Sequence, residues 1–309
     1  MKKIFLIIPI IAVFLAGSAI LTGCKQKNES GNREAVKEET VNTTAETPAQ
    51  QMKAAPTLGS ASDTTAGPGM GGNEITIEAV PNSPTFPGAK VRFASIKDGD
   101  VLENPDVSVV VNAENYELGI QTDTERVKEI MNSKEGQHAH IILDNGPYLA
   151  DYSSGKPFKI GVLSEGSHTL VVFPSRSYHE SVKSPGAADI VNFYVWKKEG
   201  EFMLDKSKPT IIYSRPKGKY EGAGAEKVML DFYLNNVELG PDGYKAKYSI
   251  RKKDSESEVT SIVLTDWTPA FVTGLTSGDY IVTLQLLDKD GNVVEGPFNN
   301  TERVITIVK

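Results

Sequence analysis

Histidine is the residue type in this chain best suited to chemistry, and all four histidines lie between positions 138 and 179. His138 and His140 are two residues apart, and His168 and His179 follow. A neutral imidazole can exchange a proton near physiological pH, and it can bind a transition-metal ion. A related stretch later in the chain carries no histidine at the matching positions. These side chains are therefore candidates for a role other than folding.

An internal repeat makes that comparison possible. Three segments recur in the same order, with residues 117–119 matching 238–240, 136–140 matching 243–247, and 163–168 matching 275–280. Lys245 and Lys247 stand where the first copy has His138 and His140. Two copies of one fold share their structural requirements, so the difference between them indicates function.

Short apolar runs separated by Gly, Pro, Asn and Asp turns fill residues 74–309, for example at 107–111, 281–284 and 304–308. Such runs are typical of antiparallel β-sandwiches. At about 100 residues per sandwich, the length predicts two domains, 74–205 and 206–309. The Leu-x-x-Gly-x-Tyr pattern at 275–280 resembles the tyrosine corner of immunoglobulin-like and fibronectin-III-like domains. The resemblance covers both repeats and implies an all-β fold of two tandem immunoglobulin-like sandwiches.

The first repeat carries about 14 additional residues between Gly119 and Gly136. Thr122-x-x-Glu125 matches a capping box, and Val127, Ile130 and Met131 share one helical face. We expect a short helix across the first sandwich.

The first 24 residues indicate the compartment. Lys2 and Lys3 precede an apolar run at 4–20, which is short for a membrane span, so 1–23 is predicted to be a signal peptide. The following Leu-Thr-Gly-Cys at 21–24 resembles the lipobox of bacterial lipoproteins. That resemblance implies cleavage before Cys24 and lipidation of Cys24, with diacylglycerol on its thiol and an acyl chain such as palmitate on its amino group. The mature protein would then be anchored to a membrane of the cell envelope on the extracytoplasmic side.

Residues 24–73 contain no aromatic residue and no sustained apolar period, which predicts a disordered linker. Cys24 is the only cysteine, so no intrachain disulfide is expected. Without Lys2 and Lys3, the count of Lys and Arg falls from 33 to 31 against 40 Asp and Glu, a formal charge of −9. Nucleic acid is therefore not an expected partner. The membrane contact would come from the lipid.

Strand alternation places His138 and His140 on one face and Ala139 and Ile141 on the other. Because lysines are mostly exposed, the second repeat predicts that the two histidines point outward or lie beneath the inserted helix. Two histidines at this spacing can reach one metal ion, and solvated or helix-packed histidines are the alternative. His168 occupies the tyrosine-corner position, for which a structural role is predicted.

The segment 173–183 replaces a plain turn with a longer loop rich in hydrogen-bonding side chains. Arg176, Tyr178, His179 and Glu180, together with Ser177, could recognise an anion, a sugar or a peptide. The alternative is a rigid loop in which Arg176 and Glu180 pair with each other or with neighbouring residues.

The Gly-x-His-x-His strand at 136–140 and the Gly-Ser-His-Thr-Leu strand at 166–170, with 175–181 after them, resemble a group of uncharacterised bacterial extracytoplasmic domains. The resemblance covers roughly 90–195. It implies immunoglobulin-like topology with ligand or metal binding and no established reaction.

No Gly-x-Ser-x-Gly elbow and no phosphate-binding glycine motif occur, so we do not expect an enzyme. The leading hypothesis is a membrane-anchored binding module without a cofactor, whose first domain binds a protein, peptide or glycan through His138, His140, Arg176, Tyr178, His179 and Glu180. A first alternative is a copper- or zinc-binding envelope protein using His138, His140 and His179. A second alternative is a structural envelope protein without a small-molecule ligand.

Overall fold

The computed structural model describes residues 74–200 and 203–309, so the predicted signal peptide, Cys24 and the linker lie outside the described residues. The described strands of the first half are β2 (Lys90–Phe93), β3 (Val101–Leu102), β4 (Asp106–Glu114), β5 (His138–Leu143), β6 (Leu149–Asp151), β7 (Pro157–Val162), β8 (Gly166–Ser175) and β9 (Asp189–Val195), preceded by β1 (Thr76–Ala79). Those of the second half are β10 (Thr210–Arg215), β11 (Gly218–Glu221), β12 (Lys227–Asn235), β13 (Lys245–Lys252), β14 (Glu258–Leu264), β15 (Ala270–Thr273), β16 (Gly278–Leu287) and β17 (Asn300–Val308). Within these residues, no helix has the length and apolar character needed to span a bilayer.

The two halves share one sandwich topology, which confirms the predicted all-β fold of tandem immunoglobulin-like sandwiches. In the first, a sheet of order β2-β4-β7 faces a sheet of order β3-β9-β8-β5-β6. In the second, β10-β12-β15 faces β11-β17-β16-β13-β14 in the same order. The short parallel pairings β3 with β9 and β11 with β17 also correspond.

The strand register confirms the internal repeat. His140 pairs with Phe173, five residues after His168, and Lys247 pairs with Gln285, five residues after Tyr280. Strand β5, which carries His138 and His140, and strand β13, which carries Lys245 and Lys247, therefore occupy equivalent positions in the two sandwiches.

Each sandwich buries its own apolar core. Along β13, Ala246, Tyr248 and Ile250 are fully buried between sheets, and the alternate residues face away, as period-two alternation requires. Along β5, Ala139 and Ile141 occupy the corresponding core of the first sandwich. Full burial of one large apolar side chain contributes about 1.5–3 kcal/mol to folding.

The two sandwiches pack against each other and belong to the same compact unit. A third apolar cluster forms between them. From the first sandwich it takes Ile142, Tyr148, Val171, Phe173 and Ile190, and from the second Ile212, Tyr233 and Phe298. The ring of Phe173 stacks on that of Tyr233 with centroids 4.9 Å apart. The outer face of the β5-β8-β9 sheet is thus covered by the second sandwich.

Strand β1 contradicts the prediction that the first domain starts at Glu74, because this strand belongs to the second sandwich. Thr76–Ala79 forms an antiparallel edge on β15 of the second sandwich, and Ile75 and Ile77 pack against that core. The chain then crosses to the first sandwich through residues 80–84. Ser83 is buried there beside Glu180. The apolar alternation of 74–79 fits either sandwich, so the sequence alone gave no preference.

The inserted segment forms a single 3₁₀ turn, Glu125–Lys128, rather than a longer helix, and the predicted capping box is absent. The Thr122 side chain instead donates to Gln137 and accepts from the backbone N–H of Ser177. These two bonds tie the insertion to β5 and to the loop after β8. A second 3₁₀ turn spans Gly222–Ala225.

The predicted structural role of His168 agrees with its contacts. Tyr280 Oη bonds the backbone of Thr276, four residues upstream, at 3.2 Å. His168 Nε2 contacts the Ser164 carbonyl, also four residues upstream, at 3.0 Å, while its Nδ1 lies 2.5 Å from an Asp144 carboxylate oxygen. The imidazole therefore replaces the phenol as the tie between strand and loop.

Candidate metal site between the sandwiches

His138 and His140 lie on the opposite face of β5 from Ala139 and Ile141, as predicted, but they are not exposed. Both histidines have 0% relative exposure. The prediction that they point outward is wrong because the second sandwich covers that face, and the lysines of β13 have no such cover. Lys245 and Lys247 are only partly buried.

Three of the four histidines meet at one point. His138 Nε2 lies 3.0 Å from His140 Nε2 and 3.1 Å from His179 Nδ1. One ligand nitrogen from each ring lies within 4.8 Å of the others. In the described part of the chain, this is the one group of three or more His, Cys, Asp or Glu side chains so placed. Two nitrogens bonded to one ion at about 2.0–2.1 Å lie at most about 4.2 Å apart, and the separations of 3.0 and 3.1 Å about His138 Nε2 meet this condition.

The outer ring nitrogens are held by fixed partners. His138 Nδ1 lies 2.9 Å from the Gly136 carbonyl oxygen, which can only accept, so Nδ1 carries the proton and the Nε2 lone pair faces the centre. His140 Nδ1 lies 3.2 Å from Ser214 Oγ of the second sandwich. Outer hydrogen bonds orient metal-binding histidines, and one to a carbonyl oxygen also fixes the tautomer.

The single lone pair of His138 Nε2 faces both His140 Nε2 and His179 Nδ1, and it can accept one well-directed proton. Tyr148 Oη approaches the same His179 nitrogen at 3.4 Å. With the proton of each ring on its other nitrogen, the three inward lone pairs would be free to bind one cation.

His179 reaches the centre from a tight turn between β8 and the bridge at Ser181. The backbone N–H of His179 donates to the Arg176 carbonyl at 2.8 Å, and that of Arg176 donates to the Glu180 carbonyl at 2.9 Å. His179 has a φ of 69°, a left-handed conformation that is costly for most side chains. Such backbone strain often occurs at functional sites.

The electrostatic surroundings keep the imidazoles neutral. Burial lowers the pKa of His138 to about 4, assisted by the charges of Arg215 and Lys217. Burial also holds the pKa values of His140 and His179 well below the usual range. Neutral imidazoles are the form that binds metal ions.

Comparing the two repeats did not identify the residues that surround the histidines. The Tyr148 ring stacks on His140 with centroids 3.6 Å apart, which leaves its other face for Lys217 Nζ at 4.0 Å. The Arg215 guanidinium lies 5.4 Å from the same ring, and it donates to Tyr220 Oη at 3.0 Å. Arg215 and Lys217 belong to the second sandwich, so no local pattern near the histidines could have indicated them.

A cavity of about 10 Å³ adjoins the site. It is lined by His179, Met131, Ile130, Tyr178, Arg215, Tyr220, Lys227 and Met229. A volume of this size holds about one water molecule. It accommodates an ion and excludes a sugar or a peptide.

The predicted recognition loop does not present its side chains to solvent. Arg176, Tyr178 and Glu180 are 2%, 0% and 0% exposed. Glu180 accepts hydrogen bonds from the backbone N–H and Oγ of Ser83 at 3.0 and 2.7 Å, and Arg126 Nη1 lies 2.6 Å from its carboxylate.

Tyr178 and Arg176 also form hydrogen bonds with the segment around Ser83. Tyr178 Oη donates to Ser83 Oγ at 2.7 Å, and Arg176 donates to the Pro84 carbonyl at 2.5 Å. The expectation that Arg176, Tyr178 and Glu180 bind an external ligand therefore conflicts with their burial. They bind the crossing segment of their own chain, and Arg176 lies 3.6 Å from Glu180 as the rigid-loop alternative required.

No family model matches this chain, and no curated protein matches it. Among solved structures, it is similar to the fibronectin(III)-like modules of Clostridium thermocellum CbhA, with 12% identity and a TM-score of 0.24, over 71% of this chain and 94% of that chain. It is also similar to the chicken CNTN1 FN1-FN3 domains, with 9% identity and a TM-score of 0.24, over 71% and 65% of the two chains.

A third similar structure is Bacteroides ovatus SGBP-B in complex with a mixed-linkage heptasaccharide. The identity is 12% and the TM-score 0.20, and the match covers 76% of this chain and 47% of that chain. At such values the likeness supports no conclusion about function.

Proposed function

We propose that this protein is a lipid-anchored, extracytoplasmic binding module of a bacterial cell envelope whose ligand is a transition-metal ion held by His138, His140 and His179. The observation that supports metal binding is the convergence of three ring nitrogens, with separations of 3.0 and 3.1 Å about His138 Nε2. Imidazole nitrogen is a donor for zinc and for copper. The outer hydrogen bond to the Gly136 carbonyl directs the lone pair of His138 inward, and Ser214 Oγ contacts the outer nitrogen of His140.

A protein, peptide or glycan ligand at the same residues has less support. Arg176, Tyr178 and Glu180 are buried in contacts with Ser83 and Pro84, and the cavity beside His179 is about the size of a water molecule. The second sandwich occupies the face that such a ligand would need.

A hydrolytic role also has little support. Ser177, His179 and Glu180 supply the residue types of a nucleophilic triad, but Ser177 Oγ accepts a hydrogen bond from the Thr122 backbone at 3.2 Å. The Glu180 carboxylate binds Ser83 and Arg126. A triad needs the carboxylate to orient the imidazole and the imidazole to contact the hydroxyl.

Equilibrium dialysis of the full chain against zinc, with elemental analysis, tests the metal site. Wild type is expected to retain one ion per chain. His179→Asn should lose it, and this variant keeps the fold because asparagine tolerates the left-handed backbone at position 179. His168→Tyr is the matched control, since it also removes one histidine but restores a tyrosine corner.

Thermal unfolding of each variant verifies that it is folded. Retention of one ion by folded His179→Asn, or no retained metal in wild type with either zinc or copper, would refute the proposal.

A further inference from the structure

The donor set of the three-histidine site carries no negative charge. His138, His140 and His179 contribute neutral nitrogens, and within 74–200 and 203–309 no carboxylate or thiolate joins the cluster. A bound ion would keep its full charge, because no ligand of the protein neutralises it.

Two cationic side chains stand beside this neutral donor set. Arg215 lines the same small cavity as His179. Lys217 Nζ lies 4.0 Å from the Tyr148 ring that stacks on His140, and it donates to the Tyr148 carbonyl at 2.7 Å. No described acidic side chain forms an ion pair with either residue. Coulomb repulsion is proportional to the charge of the bound ion, so a divalent ion is disfavoured by each cation twice as strongly as a monovalent one.

Two methionine side chains line the adjoining cavity. Met131 and Met229 line it together with His179, and Met229 is 4% exposed whereas Met131 is 37% exposed. One thioether therefore lies at the surface and the other inside. Thioether and imidazole together suit cuprous copper, whereas zinc sites favour thiolate, imidazole and carboxylate.

From these three features we infer that the site selects the cuprous ion, a monovalent soft cation, over zinc, and that Arg215 and Lys217 contribute to this selection by repelling divalent ions. The inference rests on the proposed metal-binding function. Because Arg215 and Lys217 belong to the second sandwich, this sandwich would help to determine which metal ion the site binds.

Competition titrations of the full chain test the inference. Cu(I) is supplied under reducing, oxygen-free conditions against a chromophoric Cu(I) chelator, Ag(I) serves as a redox-inert monovalent probe, and Zn(II) is measured against a zinc chelator. All measurements are repeated in Cys24→Ser, so that the lone thiol cannot account for copper binding. Cu(I) and Ag(I) are expected to bind at one equivalent and to displace zinc. If Cu(I) cannot displace bound zinc, the inference of Cu(I) selectivity is overturned and the metal-binding function remains. If none of the three ions binds, the inference and the metal-binding function are both overturned.

Lys217→Gln isolates the contribution of charge, because it removes the ammonium group without adding a thioether. Removing one positive charge should strengthen zinc binding by about twice as many logarithmic units as it strengthens Cu(I) binding, because the repulsion scales with ionic charge. Lys219→Gln is the matched control, since Lys219 is exposed two residues further along and pairs with Glu221. Equal gains for the two ions in Lys217→Gln, or no gain for either, would refute the role of charge.

Met229→Leu tests the thioether with little change in volume. It should weaken Cu(I) and Ag(I) binding and leave zinc binding unchanged. Met203→Leu is the control, because Met203 contacts Tyr194 of β9, a strand separated from β5 by β8 in the sheet. A loss of affinity in Met203→Leu equal to that in Met229→Leu would overturn the assignment.

Discussion

The Nδ1 atom of His140 lies 3.2 Å from Oγ of Ser214, and the two residues belong to different sandwiches. One ligand of the candidate metal site is thus positioned by a residue 74 positions away. Anything that binds the docked sandwiches and not the separated ones stabilises the docking by linkage. Metal binding and the contact between the sandwiches should therefore depend on each other.

Ser214→Ala should lower metal affinity by about tenfold, the lower end of the effect of losing an outer hydrogen bond on a ligating histidine. The imidazole of His140 would lose the partner of its outer nitrogen, which holds the ring in place. A competition titration with a chromophoric chelator measures the change. Ser261→Ala, on an exposed position of β14, serves as the control. Unchanged affinity in Ser214→Ala would show that Ser214 does not orient the ligand.

Glu180→Gln should reduce the free energy of unfolding by about 3–5 kcal/mol, the usual cost of removing one partner of a buried ion pair. The carboxylate contacts Arg126 at 2.6 Å and buried Arg176 at 3.6 Å, and both guanidinium groups would lose their counter-charge. Urea denaturation measures the difference. The control is Glu125→Gln, whose exposed pair with Lys128 should contribute less than about 1 kcal/mol. Similar losses in the two variants would contradict the prediction.

Glu180 should also make the fold sensitive to acid. Burial raises the pKa of this carboxyl, but the charges of Lys183 and Arg176 and the hydrogen bonds from Ser83 outweigh it, so its pKa lies below the usual value. A depressed pKa gives stability that is present above the pKa of the unfolded chain and is lost as the pH falls through the folded pKa. As the pH falls from 7 to 3, the free energy of unfolding should decrease more steeply for wild type than for Glu180→Gln. Denaturation curves recorded across this range measure the decrease.

The contribution of His168 to stability should depend on pH in the opposite direction. Burial lowers its pKa, but the hydrogen bonds to Asp144 and Ser164 outweigh burial and leave the pKa raised. Its contribution to stability is therefore complete below the unfolded pKa of about 6.5 and is lost as the pH rises through the folded pKa. Unfolding free energies of wild type and His168→Tyr, measured from pH 5.5 to 8.5, should diverge in this range. Parallel curves would show that the imidazole does not carry the effect.

Cys24→Ser should move the protein from the membrane fraction to the soluble fraction of the envelope and abolish incorporation of labelled palmitate. The physical reason is that acyl chains contribute about 0.8 kcal/mol per buried methylene and nothing else in the acidic mature sequence attracts an anionic membrane. Fractionation and labelling of cells provide the measurement. Membrane retention of the serine variant would refute the lipid anchor.

Much of the fold could be predicted from the sequence because strand alternation and the repeat depend on local pattern. The alternation placed His138 and His140 on the face opposite Ala139, and the repeat placed His168 at the corner occupied by Tyr280. Both results follow from the side-chain period of a strand, which is fixed by backbone geometry.

The surroundings of the histidines could not be predicted, because they come from the other sandwich. Ser214, Arg215 and Lys217 reach the site through docking, and the lysine at position 247 of the second copy, a residue type that is mostly exposed, gave the wrong indication for His140. The polar residues of the loop at 176–180 were equally ambiguous. Their partner, Ser83, lies more than 90 residues away and has no distinguishing motif.

Strand β1 has a mechanical consequence if the chain is tethered through Cys24. Tension arriving along the amino-terminal tether meets the ladder of β1 on β15 before it reaches the first sandwich, and the carboxyl-terminal strand β17 also belongs to the second. The first sandwich is then a side branch, outside the line of force. A membrane-tethered protein built in this way can be pulled without straining the nitrogens that meet at His138.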